Sequence, residues 1–225
     1  DTLPSRGLGD VYKRQFALIA KTISSVSGDI SQISEILSAL IFYMGVVILG
    51  LFVHMGITYM TLLKIFTTMD IKHFLKSMAP VQLLGFSTSS SGATLPVTMK
   101  RCEKDLGISE EISSFVLPLG ATINMDGTAL YQGVAAVFIA QAVGMDLTLA
   151  NQFTIVATAV LASIGTAAVP GAGIIMLIII LEAINVPSEG IALILGVDRI
   201  LDMIRTATNV TGDATVASVM DSLER

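Results

Sequence analysis

The chain has 225 residues, of which 53% are hydrophobic and 14% are charged, and its formal net charge is −5. Its mean hydropathy is +0.78, and its charged fraction lies well below the quarter or so that is usual in soluble domains. No basic or acidic run is long enough to form a docking patch. The composition therefore predicts a multi-pass membrane protein and argues against a nucleic-acid partner.

The first fifteen residues are polar, contain glycine and differ from everything that follows. They lack the apolar core of a signal peptide. Hydrophobic sequence then begins abruptly at Phe16, as if a helix were entered partway along. We therefore expect residues 1–15 to be a foreign segment left by cloning or sequence assembly, and residues 16–225 to be a carboxy-terminal fragment of a longer membrane domain.

Residues 36–63 contain no Lys, Arg, Asp or Glu, and this run is longer than the roughly 20 residues needed to span a bilayer. It predicts a transmembrane helix that is long enough to tilt. The helix contains His54, which we interpret as a neutral histidine paired within the bundle, because the sequence supplies no metal-ligand partners for it.

The next apolar stretch, residues 74–99, has basic residues on both sides, which predicts that both of its ends are cytoplasmic. Its centre, SSSGATLP at 89–96, is too polar and too interrupted by Gly and Pro to be a lipid-facing helix. A re-entrant hairpin satisfies both observations, since non-helical backbone at membrane depth must be buried in protein or line water. Cys102, the single cysteine, follows among the basic residues and is expected in a loop.

Two further apolar stretches are also interrupted. Residues 112–145 contain NMDGT at 124–128, which predicts a spanning helix with a break near its middle. Residues 147–181 carry no charge, and SIGTAAVPGAG at 163–173 repeats the outline of the earlier tip, with a serine seven residues before a proline. Acidic flanks without basic residues predict that this second hairpin enters from the opposite face. Paired Gly/Pro-interrupted segments of this kind indicate a transporter site built from inverted repeats.

The last predicted helix, residues 191–223, carries a polar stripe. Its members fall within about 100° of one another at 100° per residue. A charge at mid-membrane costs roughly 3 kcal/mol on insertion scales, so the stripe is expected to face a cavity, partner groups or a ligand. The stripe comprises Asp198, Asp202, Arg205, Thr206, Asn209 and Asp213.

The residue types of the stripe indicate its chemistry. Arg205 is a permanent cation whose planar fork of donors suits a carboxylate. Asp202, one turn earlier, would hold an ammonium group or form an internal ion pair with Arg205. Asp126 and Asp213 leave the interior with surplus negative charge, which requires cations.

The broken segments offer oxygen ligands for hard monovalent cations. Proton coupling through the same carboxylates is the alternative, and replacing Asp213 by asparagine would discriminate, because it removes a charge that binds sodium. The candidate ligands are the side chains of Asn124, Asp126, Asn209 and Asp213, with freed carbonyls near Gly120, Thr122 and Ser163.

Other function classes fit the sequence less well. It contains no HExxH, CxxC, nucleophile elbow or phosphate-binding glycine loop, and neither His nor Lys is placed to activate the serine run, so we predict that the protein is not an enzyme. Asp126 and Asp213 mimic an intramembrane aspartyl protease only superficially. An ion channel is harder to exclude by residue type, but two opposed hairpins over one charged site favour alternating access.

Four motifs resemble the dicarboxylate/amino acid:cation symporter family, which includes the glutamate and aspartate transporters. The likeness runs from about residue 16 to residue 224, and the inverted-repeat pattern is itself known from an archaeal aspartate transporter of this family. The motifs are SSSGATLP, PLGATINMDGT, ASIGTAAVPGAG and DRILDMIRTATNVTGD.

The resemblance implies an all-α membrane protein with two opposed re-entrant helical hairpins and broken transmembrane helices, truncated at its amino terminus. The chain would hold the end of helix 5, helix 6, hairpin 1, helix 7, hairpin 2 and helix 8 of that fold, which form most of its mobile transport domain. It also implies a homotrimer in the plasma membrane, assembled through a scaffold that this chain lacks.

The resemblance implies that Arg205 binds the side-chain carboxylate of the substrate and Asp202 its amino group. Members for plain dicarboxylates are similar but have serine at the position of Asp202, and neutral amino acid members lack the arginine. We therefore predict sodium-driven symport of aspartate or glutamate, with C4-dicarboxylate or proton-coupled symport as the alternatives. The pocket would be completed by Ser89, Ser90, Ser91, Thr128, Val169, Gly173, Thr206 and Asn209.

Sodium ions are the coupling ions that the resemblance implies, with no other cofactor. The family's additional arginine, at the position of Ser89 or Met203, is not present here. Arg199 would either substitute for it or pair with Asp198 or Asp202. One sodium site would comprise Gly120, Asn124, Asn209 and Asp213, a second Thr122, Ser163, Ile164 and Thr166, and a third Asn124 and Asp126 with partners on helix 3.

Overall fold

The computed structural model describes residues 30–224, which fold into a bundle of helices. Residues 1–15 and the predicted end of family helix 5 lie outside the described residues. No β-strand occurs within the described range, in agreement with the predicted all-α class. The elements are α1 Ile30–His54, π1 Met55–Tyr59, α2 Met60–Phe66, α3 Ile71–Thr88, α4 Ser91–Lys104, α5 Glu110–Ile123, α6 Asp126–Ala142, α7 Leu149–Ile164, α8 Ala172–Ala183 and α9 Ile191–Glu224.

The first long helix runs without interruption through α1, the π-helical turn π1 and α2. Its stretch Ser34–Phe66 has 33 residues and is long and apolar enough to cross a membrane. Large apolar side chains cover its outer face, where Phe42 is 74% exposed and Ile41 is 69% exposed. The position matches the helix predicted for residues 36–63, but the π-helical turn was not predicted.

Polar caps begin four of the helices. In each case a side-chain oxygen accepts the backbone N–H three residues later, which satisfies one of the donors left free at a helix start. These caps are Asp70 on α3, Ser90 on α4, Ser109 on α5 and Thr148 on α7.

Helices α3 and α4 pack against each other as a hairpin whose turn is shorter than predicted. Only Ser89, with a left-handed φ of 52°, and Ser90 lie outside the helices. Gly92 and Pro96 were expected to interrupt the backbone, but both lie inside α4. The helix begins early because Ser90 caps it and because the hydroxyl of Thr94 donates to the carbonyl of Ser90 over 2.7 Å.

The prediction that Cys102 lies in a loop was wrong. Cys102 belongs to α4, is fully buried and packs in a hydrophobic core. The basic residues around it also lie on this helix, which continues as far as Lys104. The apolar stretch and the basic segment therefore form one amphipathic helix, which buries the thiol and exposes the ammonium group of Lys104.

The break predicted near the middle of residues 112–145 is confirmed. Helix α5 ends at Ile123 and α6 starts at Asp126, so Asn124 and Met125 are the non-helical residues between them. Residues 147–181 also form a hairpin, in which α7 and α8 pack together and residues 165–171 make the connecting tip.

Helix α9 crosses the whole bundle and contributes to two hydrophobic cores. Ile194 and Leu201 pack in the first core with residues of α1, α6, α7 and α8. Val210 and Ala214 pack in the second core with residues of α2, α3, α4 and α5. The polar stripe of α9 lies where the two cores meet, and this junction also receives the helix break and both hairpin tips.

Candidate functional site

All six residues of the α9 stripe are buried, and Arg205 is only 2% exposed. The stripe therefore faces the protein interior, as its charges predict. Within the described residues, Arg205 is the one buried cation of α9, and three buried carboxylates lie near the middle of the same helix. They are Asp198, Asp202 and Asp213.

The guanidinium of Arg205 makes three contacts. Its Nη2 donates to Oδ1 of Asp202 over 2.5 Å, and its Nη1 lies 3.9 Å from Oδ1 of Asp198. Its Cζ lies 4.1 Å from the centroid of the Tyr131 ring, within the range of a cation–π contact. The internal ion pair between Arg205 and Asp202, one of the two alternatives drawn from the sequence, is thus the arrangement in this structure.

The tip of the α7–α8 hairpin closes over this ion pair. The backbone N–H of Gly171 donates to Oδ2 of Asp202 over 3.0 Å. A Cβ at Gly173 would lie 3.0 Å from Nη2 of Arg205, so only glycine lets the backbone approach the guanidinium this closely. On the side of this hairpin, both groups of the ion pair are therefore covered by backbone.

A cavity of about 20 Å³ remains beside the ion pair, which is room for about one water molecule. Nearly all of the predicted substrate residues line it, but Ser90 does not. Sequence reasoning placed Thr166 in a sodium site and missed three lining residues, Met125, Ala167 and Ala168, although each lies inside a motif that had been singled out. The lining comprises Ser89, Ser91, Met125, Thr128, Thr166, Ala167, Ala168, Val169, Gly173, Asp202, Arg205, Thr206 and Asn209.

The two hairpin tips touch each other through Ser90. Its hydroxyl donates to the carbonyl of Ala168 over 2.6 Å, and the N–H of Gly92 donates to the same carbonyl over 3.3 Å. Ser90 therefore contributes a bond between the hairpins rather than a wall of the cavity.

Asn209 joins α9 to the start of α6. Its Nδ2 donates to the hydroxyl of Thr128 over 3.0 Å, and its Oδ1 accepts the N–H of Gly127 over 2.9 Å. A Cβ at Gly127 would lie only 2.7 Å from that oxygen. The glycine in NMDGT therefore allows the helix break to contact the stripe directly.

The residues predicted for the first sodium site lie around the same break. Nδ2 of Asn124 donates to Oδ1 of Asp213 over 3.1 Å, and a Cβ at Gly120 would lie 2.8 Å from that oxygen. The structure thus brings Gly120, Asn124 and Asp213 together, while the amide of Asn209 is bonded to residues 127 and 128.

The residues predicted for the second sodium site are not joined by any described hydrogen bond of their side chains. The hydroxyls of Thr122, Ser163 and Thr166 each donate to a carbonyl of their own segment, namely those of Leu119, Val160 and Ala162. Ile164 is the last residue of α7, and Ser163 and Thr166 are buried beside it while Thr122 is exposed.

The two residues predicted for the third sodium site point in different directions. Asn124 contacts Asp213, whereas Asp126 contacts the first long helix. Oδ2 of Asp126 lies 2.7 Å from Nε2 of His54, and its Oδ1 accepts the hydroxyl of Tyr59 over 2.6 Å. His54 is thus paired within the bundle, as the sequence indicated.

The donor types at this junction suit one class of cation. Within residues 30–224 no group of three or more His, Cys, Asp and Glu side chains is placed to hold a metal ion. The available ligands are carboxylate, amide and hydroxyl oxygens with freed backbone carbonyls, which suit hard cations.

Broken helices and paired hairpin tips that meet at buried charges define the class of site found in secondary transporters. The profile of the sodium:dicarboxylate symporter family matches residues 16–223, so the chain belongs to that family.

Three relatives show the extent of the similarity. Excitatory amino acid transporter 3 of Mus musculus is 44% identical over 202 residues, which are 89% of this chain and 39% of that protein. The excitatory amino acid transporter of Caenorhabditis elegans is 41% identical, with 85% of this chain and 38% of that protein covered. Excitatory amino acid transporter 2 of Homo sapiens is 43% identical, with 81% and 32% covered. The chain therefore spans less than two fifths of the length of these relatives.

Proposed function

We propose that this chain is the substrate-binding part of a sodium-coupled symporter of acidic amino acids that works by alternating access. The observation that carries the proposal is the ion pair between Arg205 and Asp202, buried beneath a hairpin tip. A buried charge that loses its partner costs about 3–5 kcal/mol. Any ligand that separates the pair must therefore provide new partners for both groups.

An acidic amino acid provides both partners. Its side-chain carboxylate replaces Asp202 on the fork of Arg205, and its ammonium group binds the carboxylate that Asp202 then offers. Arg205 and Asp202 each keep a counter-charge in this exchange. A plain dicarboxylate has no ammonium group and would leave Asp202 unpaired, so the site favours aspartate or glutamate over C4-dicarboxylates.

The substrate reaches the pair only when the tip of the α7–α8 hairpin moves. The cavity of about 20 Å³ holds one water molecule and no amino acid. Opening must break the bond from Gly171 to Asp202 and withdraw Gly173 from the guanidinium. The hairpin thus serves as a lid, whose closure over bound substrate precedes the change of access.

Sodium ions are the proposed coupling ions, in keeping with the family and with the surplus of buried carboxylates. Their binding neutralises carboxylates that the amino acid does not reach. We propose one site at Gly120, Asn124, Asn209 and Asp213, a second at Thr122, Ser163, Ile164 and Thr166, and a third at Asn124 and Asp126.

The proposal places these residues in a multi-pass protein of the plasma membrane that forms a homotrimer and performs no enzymatic reaction. The relatives are named excitatory amino acid transporters, which supports the substrate class. The exposed apolar side chains of Ser34–Phe66 support contact with lipid.

Uptake into proteoliposomes tests the proposal. A complete transporter that carries residues 30–224 in their natural place is reconstituted, and an inward sodium gradient is imposed. We expect the gradient to drive uphill accumulation of aspartate or glutamate and much slower uptake of malate. Malate uptake equal to that of aspartate would contradict the proposed substrate class. Uptake driven by a proton gradient without sodium would contradict sodium as the coupling ion. Purely downhill flux would indicate a channel.

A further inference from the structure

Asp126 is held by three donors around its carboxylate. Oδ1 accepts the hydroxyl of Tyr59 over 2.6 Å and the N–H of Gly127 over 3.0 Å, while Oδ2 lies 2.7 Å from Nε2 of His54. An ionised carboxylate has about four positions at which it accepts hydrogen bonds or binds cations. Three of them are used, and the remaining one belongs to Oδ2.

The π-helical turn π1 allows His54 and Tyr59 to reach the same carboxylate. In an α-helix, residues five apart point about 140° away from each other. In a π-helical turn, bonds between residues five apart place such residues on one face. His54 immediately precedes π1 and Tyr59 is its last residue, so this turn is what lets both side chains converge on Asp126.

Neighbouring groups fix the orientation of both side chains. The Thr58 hydroxyl lies 3.2 Å from Nδ1 of His54, and Nε2 of the same ring lies 2.7 Å from Oδ2 of Asp126. The His54 and Tyr59 rings meet edge to face with centroids 4.9 Å apart. A Cβ at Gly212 would lie 2.6 Å from the Tyr59 hydroxyl, so glycine on α9 provides the space for this hydroxyl.

We propose that His54 and Tyr59 are positioning residues for sodium coupling. They hold the Asp126 carboxylate so that the open position on Oδ2 is directed to the ion, and neither residue contacts the ion itself. Groups that orient a ligand in this way typically change metal affinity by 10–100-fold when they are removed. The inference rests on the proposed function, and specifically on Asp126 as a sodium ligand.

Four variants of the complete transporter test this role. Tyr59→Phe removes only the hydroxyl, and His54→Leu removes the ring donor, whereas His54→Gln keeps an N–H donor close to the position of Nε2. Tyr43→Phe is the matched control, because Tyr43 lies on the same helix and is buried, and its hydroxyl faces Tyr131 rather than Asp126.

The main measurement is aspartate uptake as a function of sodium concentration. We expect Tyr59→Phe and His54→Leu to raise the sodium concentration for half-maximal uptake at least threefold. This change is smaller than the change in affinity of the one weakened site, because the sodium dependence of uptake reflects all of the coupled ions. The KM for aspartate at saturating sodium should stay within twofold of wild type. His54→Gln should recover most of the sodium sensitivity, and Tyr43→Phe should behave as wild type.

A binding measurement without transport separates positioning from folding. Sodium raises the unfolding temperature of the detergent-solubilised protein by an amount set by the ratio of its concentration to its Kd. We expect Tyr59→Phe and His54→Leu to need at least threefold more sodium for the same rise, with unfolding temperatures close to wild type in sodium-free buffer. A sodium dependence that is unchanged in Tyr59→Phe and His54→Leu, or shifted to lower concentrations, overturns the proposal. Failure of His54→Gln to recover the sodium sensitivity of wild type also overturns it. Wild-type protein that shows no sodium-driven uptake contradicts the proposed function instead.

Discussion

At the scale of single residues, the main feature of the site is that Arg205 is paired with a carboxylate of its own helix. Asp202 neutralises it on the same helix, and the Tyr131 ring covers its face. This arrangement avoids the penalty of an isolated buried guanidinium. Under the proposed function, substrate binding is an exchange of partners, so selectivity depends on what the ligand offers to Asp202.

Asp202→Ser tests this exchange. Loss of the carboxylate removes the group that binds ammonium, and hydrogen bonds to charged groups contribute about 1.5–3 kcal/mol each. We expect the affinity for aspartate to fall roughly tenfold or more on this scale, while the affinity for succinate changes much less. Competition of both compounds against labelled aspartate or glutamate in proteoliposomes measures the difference. Equal losses for the two would show that Asp202 does not bind the ammonium group.

The residue types of this site could be read from the sequence, but their contacts could not. The polar stripe within an apolar helix predicted a buried charged wall, since lipid excludes such residues. The bond from Gly171 to Asp202, and the role of Ser90 as a link between tips, depend on how two distant hairpins fold together. No local pattern in the sequence carries that information.

At the scale of elements, the two hairpins meet at one point, where the Ala168 carbonyl accepts from Ser90 and Gly92. Ser90 also caps α4, since its hydroxyl oxygen accepts the N–H of Ala93 over 3.1 Å. A single side chain thus starts one hairpin helix and fastens the tip of the other hairpin.

Ser90→Ala should separate these two effects when it is compared with Ser109→Ala. Both variants lose a helix cap worth about 0.5–2 kcal/mol, which lowers the unfolding temperature of each. Only Ser90→Ala loses the bond between the hairpins, a further 0.5–1.5 kcal/mol or so. We expect it alone to speed substrate dissociation severalfold, as followed by release of labelled aspartate. Equal release from the two variants would mean that the bond does not hold the lid closed.

Element positions followed from the sequence more reliably than element geometry. Runs without charge located the helices, and NMDGT located the break between α5 and α6, because Gly and buried polar residues disfavour a continuous helix there. The π-helical turn Met55–Tyr59 lies inside an uncharged apolar run, and the run of apolar residues alone predicts only a continuous helix. Its stabilising contact, from Tyr59 to Asp126, joins residues 67 positions apart.

At the scale of the whole molecule, the proposed membrane arrangement places the two hairpins on opposite faces. Basic residues border the α3–α4 hairpin, and acidic residues border the α7–α8 hairpin. If each hairpin enters and leaves through the same face, its two ends must be reached from the same side of the membrane.

Labelling of single cysteines tests this arrangement. The native Cys102 is buried and should give little background. All four positions chosen for labelling are exposed in the structure. We expect a membrane-impermeant maleimide added outside intact cells to label Asp146→Cys and Glu182→Cys. The same reagent should label Lys72→Cys and Lys104→Cys only after the cells are permeabilised. Labelling of the two ends of one hairpin from different sides would show that its helices span the membrane separately.

The junction of the two hydrophobic cores also has a thermodynamic consequence. Each core is held by continuous apolar packing, whereas the junction between them depends on hydrogen bonds and ion pairs around the middle of α9. Local unfolding begins where apolar contacts are fewest, so the two halves are expected to loosen from each other before either core melts. A ligand bound at the junction touches both halves and would couple their unfolding into a single cooperative transition.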